Sequence, residues 1–133
     1  MTYGDTSTTS LQSIDLHFSL CNDARLKSVW DDTLRSYAKW LIVHELGHYL
    51  YYIKDTTFSV FERICWEGER NICTADDFIG EYAQTEKYED YAEHFTYWYL
   101  VTVDKEEPLW KPSNPNAKKF QAKMKYFNLV FKK

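Results

Sequence analysis

The sequence predicts a mainly helical α+β domain with a reduced sheet. Three observations point there: a long apolar stretch of helical period centred on residue 43, two later stretches of the same period, and only one segment that alternates like a strand. The chain has 133 residues and a net charge of −4. That length fits one domain, expected over residues 13–133 behind a loose polar arm at 1–12.

Each element has its own signal. Between Ser13 and Leu20, apolar Ile14, Leu16, Phe18 and Leu20 alternate with polar residues, the period of a half-buried strand. Asp31 or Asp32 can cap a helix in which Leu34, Tyr37, Leu41, His44 or Glu45, and His48 recur at helical spacing. That helix is expected over about 32–54 and ends near Asp55-Thr56-Thr57. A second helical stretch covers 58–67 and stops at Gly68. Residues 71–80 read as loop with a turn of helix. Thr85 can cap a third helix, about 86–101. Pro108, Pro112 and Pro115 then break the chain before a last helix at about 116–130, basic throughout.

Composition excludes several roles. Both charge signs are scattered and no basic block occurs, so nucleic acid is not expected as a partner. No apolar run is long enough for a bilayer, so neither is a membrane. Met1 to Ser10 shows no signal peptide, so action outside the cell would require a removed signal or another route; oligomeric state is not legible. Cys21, Cys65 and Cys73 make an odd count, which argues against a disulfide framework and toward a reducing compartment. A Cys65–Cys73 bridge requires the chain between them to double back. The 5 Trp, 11 Tyr and 8 Phe fill a thin core, wall a substrate groove, or do both. The cluster Tyr49, Tyr51, Tyr52, Tyr91 and Trp98 fits either a core or a groove for apolar or proline-containing segments.

The chemistry lies in His44-Glu45-Leu46-Gly47-His48. Histidines four apart on a helix share a face, and two imidazoles pre-organise half of a tetrahedral zinc site. Glu45 is rotated off the metal but within reach of a metal-held water, where it can act as general base. Gly47 would let another segment approach. A catalytic site needs a third ligand, and the candidates downstream are Glu81, Glu86, Glu89, Asp90, Glu93 and His94. Glu89 and Glu93 share one face beside the small Ala92. Glu89 could bind the metal while Glu93 accepts a hydrogen bond from a ligand histidine. His94 points about a hundred degrees away from Glu93. The plainer reading of Glu86, Glu89, Asp90 and Glu93 is a solvated acidic face.

The run from Tyr82 through Glu89 and Glu93 to Phe95 resembles the zincin-like metallopeptidase family of anthrax toxin lethal factor and the Pro-Pro endopeptidases. In that family a tyrosine stands seven residues before the ligand glutamate, and an Ala-Glu pair follows at plus three and plus four. Tyr82, Glu89, Ala92, Glu93 and Phe95 match without a gap. Phe61 to Gly68 and the helix after Pro115 are also similar, so the likeness spans roughly residues 40–130. It implies one zinc per chain held by His44, His48 and Glu89, with Glu45 as general base. It implies too that Tyr82 donates to the oxyanion of the tetrahedral intermediate. The expected activity is endopeptidase cleavage of a peptide or protein substrate. Only 43 residues precede His44, so the family's substrate-pairing sheet must be reduced, with Ser13–Leu20 as its edge strand. The alternative is a catalytically weak scaffold that binds or builds within a toxin or phage assembly.

Overall fold

The structure, a computed structural model, describes residues 32–132. The arm, the Ser13–Leu20 strand and Cys21 lie outside the described residues.

Helix α1 runs Asp32–Tyr49 and continues as a π-helical turn, Leu50–Lys54, to the expected end at Asp55. Helix α2 is Phe58–Cys65. Trp66 and Glu67, expected as its last turn, instead form strand β1, which pairs antiparallel with β2, Arg70–Asn71. Gly68 turns this ribbon with φ +63°, a left-handed conformation that glycine adopts without steric cost. Strands of two residues leave no alternation to detect, so the hairpin is invisible to periodicity. The doubling back places Cys65 against Cys73, and the two form a disulfide with Cα atoms 5.1 Å apart. The bridge left open by the odd cysteine count is thus formed, through the doubling back it required.

A loop with a 3-10 turn at Ala75–Asp77 leads to a second such turn, Tyr82–Gln84. Helix α3 spans Lys87–Trp98 and again runs on as a π-helical turn, Tyr99–Val103. Its N-cap is Glu86, not Thr85; the Thr85 hydroxyl donates to the Tyr82 carbonyl at 2.7 Å and closes the preceding turn instead. Helix α4 is Lys118–Phe131. Mainly helical with a small open sheet, the described residues have the α+β, zincin-like arrangement.

An aromatic core joins α2, α3 and α4. Phe61 lies 5.1 Å from Tyr91 and 5.2 Å from Phe127, and Phe127 is 5.7 Å from Phe95, ring centre to ring centre. Tyr51, Tyr91 and Trp98 are buried in this core, which removes them from the proposed groove; Tyr52 is exposed beside His48. Asp55 fastens the far end of α1 to the core. Its Oδ2 accepts hydrogen bonds from the Tyr91 and Tyr126 hydroxyls, each at 2.5 Å, and its Oδ1 accepts from the Thr57 N–H at 2.8 Å. Three helices are thus pinned through one buried carboxylate, with each oxygen satisfied. The most extensive packing brings α1 against α3. Gly47 makes the close approach possible: a Cβ there would stand 3.0 Å from Ala92 Cα. No helix among the described residues is long and apolar enough to cross a membrane.

Candidate metal centre

Where α1 crosses α3, the fold gathers His44, His48 and Glu89. One ligand atom from each lies within 4.8 Å of the others, and all three residues are buried. The Nε2 atoms of His44 and His48 are 3.0 Å apart. Glu89 Oε1 is 2.6 Å from His48 Nε2 and 3.5 Å from His44 Nε2. Two imidazole nitrogens and a carboxylate oxygen converging on one point form a donor set of the kind that holds a borderline dication.

Glu93 lies behind this cluster. Its Oε2 is 3.1 Å from His44 Nδ1 and accepts a second hydrogen bond, 2.8 Å long, from the Trp40 indole N–H. With Nδ1–H donated to Glu93, neutral His44 carries its lone pair on Nε2, toward His48 and Glu89. Trp40, four residues before His44, is a partner that motif reading passed over. The helical spacing it shares with His44 and His48 was the available signal.

Electrostatics fit the same picture. Burial works against charge on His44, yet hydrogen bonds that it donates to the Glu89 and Glu93 carboxylates outweigh it and hold the imidazole up at about 9. Burial also works against charge on Glu89. Hydrogen bonds with His44, His48 and Tyr82 nonetheless hold its carboxyl down at about 2. Metal binding at such a site competes with protons, because imidazole and carboxylate ligate in their deprotonated forms.

Glu45 is buried next to His44 on α1. Tyr82 is more than a third exposed, with its ring centre 6.1 Å from that of His44. Of the other downstream candidates, Glu81 and Glu86 are exposed, while Asp90 and His94 are buried on a different side of α3. The acidic stretch is therefore no solvated face, since Glu89, Asp90 and Glu93 are all buried. No family model, curated protein or solved structure matches the chain. A buried His-Glu-x-x-His completed by a distant glutamate is the metal-site pattern of the zincin superfamily, and it marks a metal-dependent enzymatic site.

Proposed function

We propose that the protein is a zinc-dependent endopeptidase of the lethal factor kind, acting on a peptide or protein substrate. The observation that carries this is the convergence of His44, His48 and Glu89 beside a buried Glu45. His44, His48 and Glu89 would hold one zinc ion per chain. When bound, zinc supplies Lewis acidity that acidifies water and polarises the scissile carbonyl.

The chain's own groups do the rest. Glu45 takes a proton from the attacking water and returns it to the leaving amine. Tyr82 donates its hydroxyl to the oxygen on which negative charge develops. Glu93 keeps His44 oriented, and the Trp40 N–H keeps Glu93 in place. A purely structural metal site needs neither Glu45 nor Tyr82.

A recess of about 270 Å³ opens beside His44, lined among others by Tyr37, Trp40, Ile79, Tyr82 and Trp110. The Trp110 ring stands edge-on to Trp40 at 4.8 Å. The walls are chiefly apolar and the volume suits one large side chain next to the scissile bond. Trp110→Ala should raise KM several-fold with kcat nearly unchanged, measured on the best peptide from a random library. A drop confined to kcat would remove the recess from substrate binding.

Tyr82→Phe should lower kcat by roughly 10²–10³, the worth of one oxyanion donor, with little change in KM. An effect on KM alone would make Tyr82 a substrate-binding residue. The test of the whole proposal is digestion of a random peptide library by the zinc-loaded protein. Cleavage should stop with a chelator and return with added zinc. No cleavage at full zinc occupancy would refute the peptidase and favour the scaffold.

A further inference from the structure

The segment from Cys73 to Gln84 carries Tyr82 to the site with little regular structure of its own, only two three-residue 3-10 turns. Such a stretch samples many conformations unless side chains from elsewhere pin it. The disulfide at Cys73 and the Ser113 hydroxyl, which donates to Asp76 Oδ1 at 3.2 Å, hold its first part, and three contacts from α3 and α4 hold it just ahead of Gly80. The Ile79 N–H donates to His94 Nε2 at 3.1 Å. Lys123 Nζ donates to the Asp77 carbonyl at 3.0 Å. The same ammonium lies 3.8 Å from the centre of the Phe78 ring.

Both pinning side chains are anchored on Asp90. Lys123 Nζ is 2.9 Å from Asp90 Oδ1, and His94 Nδ1 is 2.8 Å from both that oxygen and the Asp90 carbonyl. The Trp66 indole N–H donates to Asp90 Oδ2 at 2.9 Å. Asp90, His94 and Lys123 are all at 0% exposure. Burying three ionisable side chains carries a heavy desolvation cost, and well-packed apolar residues often serve stability as well or better. What apolar residues cannot do is accept a hydrogen bond from the Ile79 N–H or donate one to the Asp77 carbonyl.

The placement on α3 gives these bonds their meaning. Glu89 and Glu93 meet the histidines of α1, while their neighbour His94 holds Ile79 directly and Asp90 anchors the Lys123 that reaches Asp77 and Phe78 from α4. One rigid helix thereby registers the metal-facing carboxylates and the loop that delivers the tyrosine.

We propose that Asp90, His94 and Lys123 form a tether that sets the position of Tyr82 at the metal centre, with His94 as a positioning residue. The catalytic consequence rests on the peptidase reading; the positional one does not. In its neutral form His94 donates through Nδ1 to Asp90 and accepts through Nε2 from Ile79. His94→Asn keeps a group near Nδ1 and loses the acceptor for Ile79. His94→Gln places an amide oxygen near the Nε2 position and keeps it.

The test compares these two variants in full-length protein loaded with Co²⁺, with ¹³C-labelled tyrosine. In His94→Asn the Ile79 amide should exchange faster and the paramagnetic shift of the Tyr82 ring should change, while Co²⁺ affinity and visible spectrum stay as in wild type. His94→Gln should restore both signals. On the zinc protein, with the best library peptide, His94→Asn should lower kcat roughly tenfold at unchanged KM. The same change in a Tyr82→Phe background should have no further effect. Equal loss in both variants, an unmoved Tyr82 signal, or a full tenfold fall in the Tyr82→Phe background would overturn the tether. Wild-type protein that cleaves nothing would overturn the peptidase reading alone, since exchange and paramagnetic shift still decide the tether.

Discussion

Glu45→Gln is expected to leave fold and zinc content intact and to lower peptide cleavage by about two to four orders of magnitude. The substitution keeps size and most hydrogen-bonding capacity but removes the basic site that takes a proton from water. Glu45 is buried on α1 between the two histidines in sequence, so the amide introduces no packing defect large enough to explain such a loss. The measurement is kcat/KM on a library-derived peptide, alongside metal analysis and thermal unfolding. Unchanged activity would refute the mechanism. Lost zinc would instead make Glu45 part of the metal's support.

Glu89→Ala is expected to lose zinc at concentrations that saturate the wild type, with affinity falling well beyond the 10–100-fold typical of an outer-shell partner. The side chain supplies the only carboxylate within the described cluster of three, and it comes from a different helix than the histidines. Its removal leaves two imidazoles on one turn of α1, too few donors for a stable site. Inductively coupled plasma analysis after dialysis reads the result directly. A Glu89→Ala protein with full zinc would shift the third ligand elsewhere and sink the assignment. Glu93→Gln offers a graded comparison, because an amide oxygen can still accept from His44 or Trp40 although its charge is gone.

The histidine pair was legible because both members lie one turn apart on a single helix, where local period settles geometry. Glu89 and Glu93 were legible for the same reason on α3, once a metal motif lacking a ligand gave their face a purpose. What escaped was long-range or too short. Helical spacing puts Trp40 on the face of His44 and His48, but only the packing of α1 on α3 brings it to Glu93, so spacing alone names no partner. Lys123 read as one more cation on a basic helix, yet it is buried against Asp90, thirty-three positions away in the chain. His94 was set apart from the Glu93 face by its angle on the helix, and it bonds instead to Asp90 and to the backbone amide of a loop residue. The hairpin at Trp66–Asn71 went unseen because two-residue strands carry no period, and without it the Cys65–Cys73 bridge stayed an open possibility, since cysteine parity carries no geometry.

The 3.0 Å approach of the two imidazole nitrogens next to a buried carboxylate would, with an ion bound, bear on how long the folded protein persists. An ion held there joins α1 to α3 only while the chain is folded, so its binding free energy adds to folding. Free metal at a hundred times the dissociation constant contributes about 2.7 kcal/mol, enough to cut the open population roughly a hundredfold. Proteases sample that open population. Metal supply would therefore govern how long each copy of the chain lasts, as well as whether it is active.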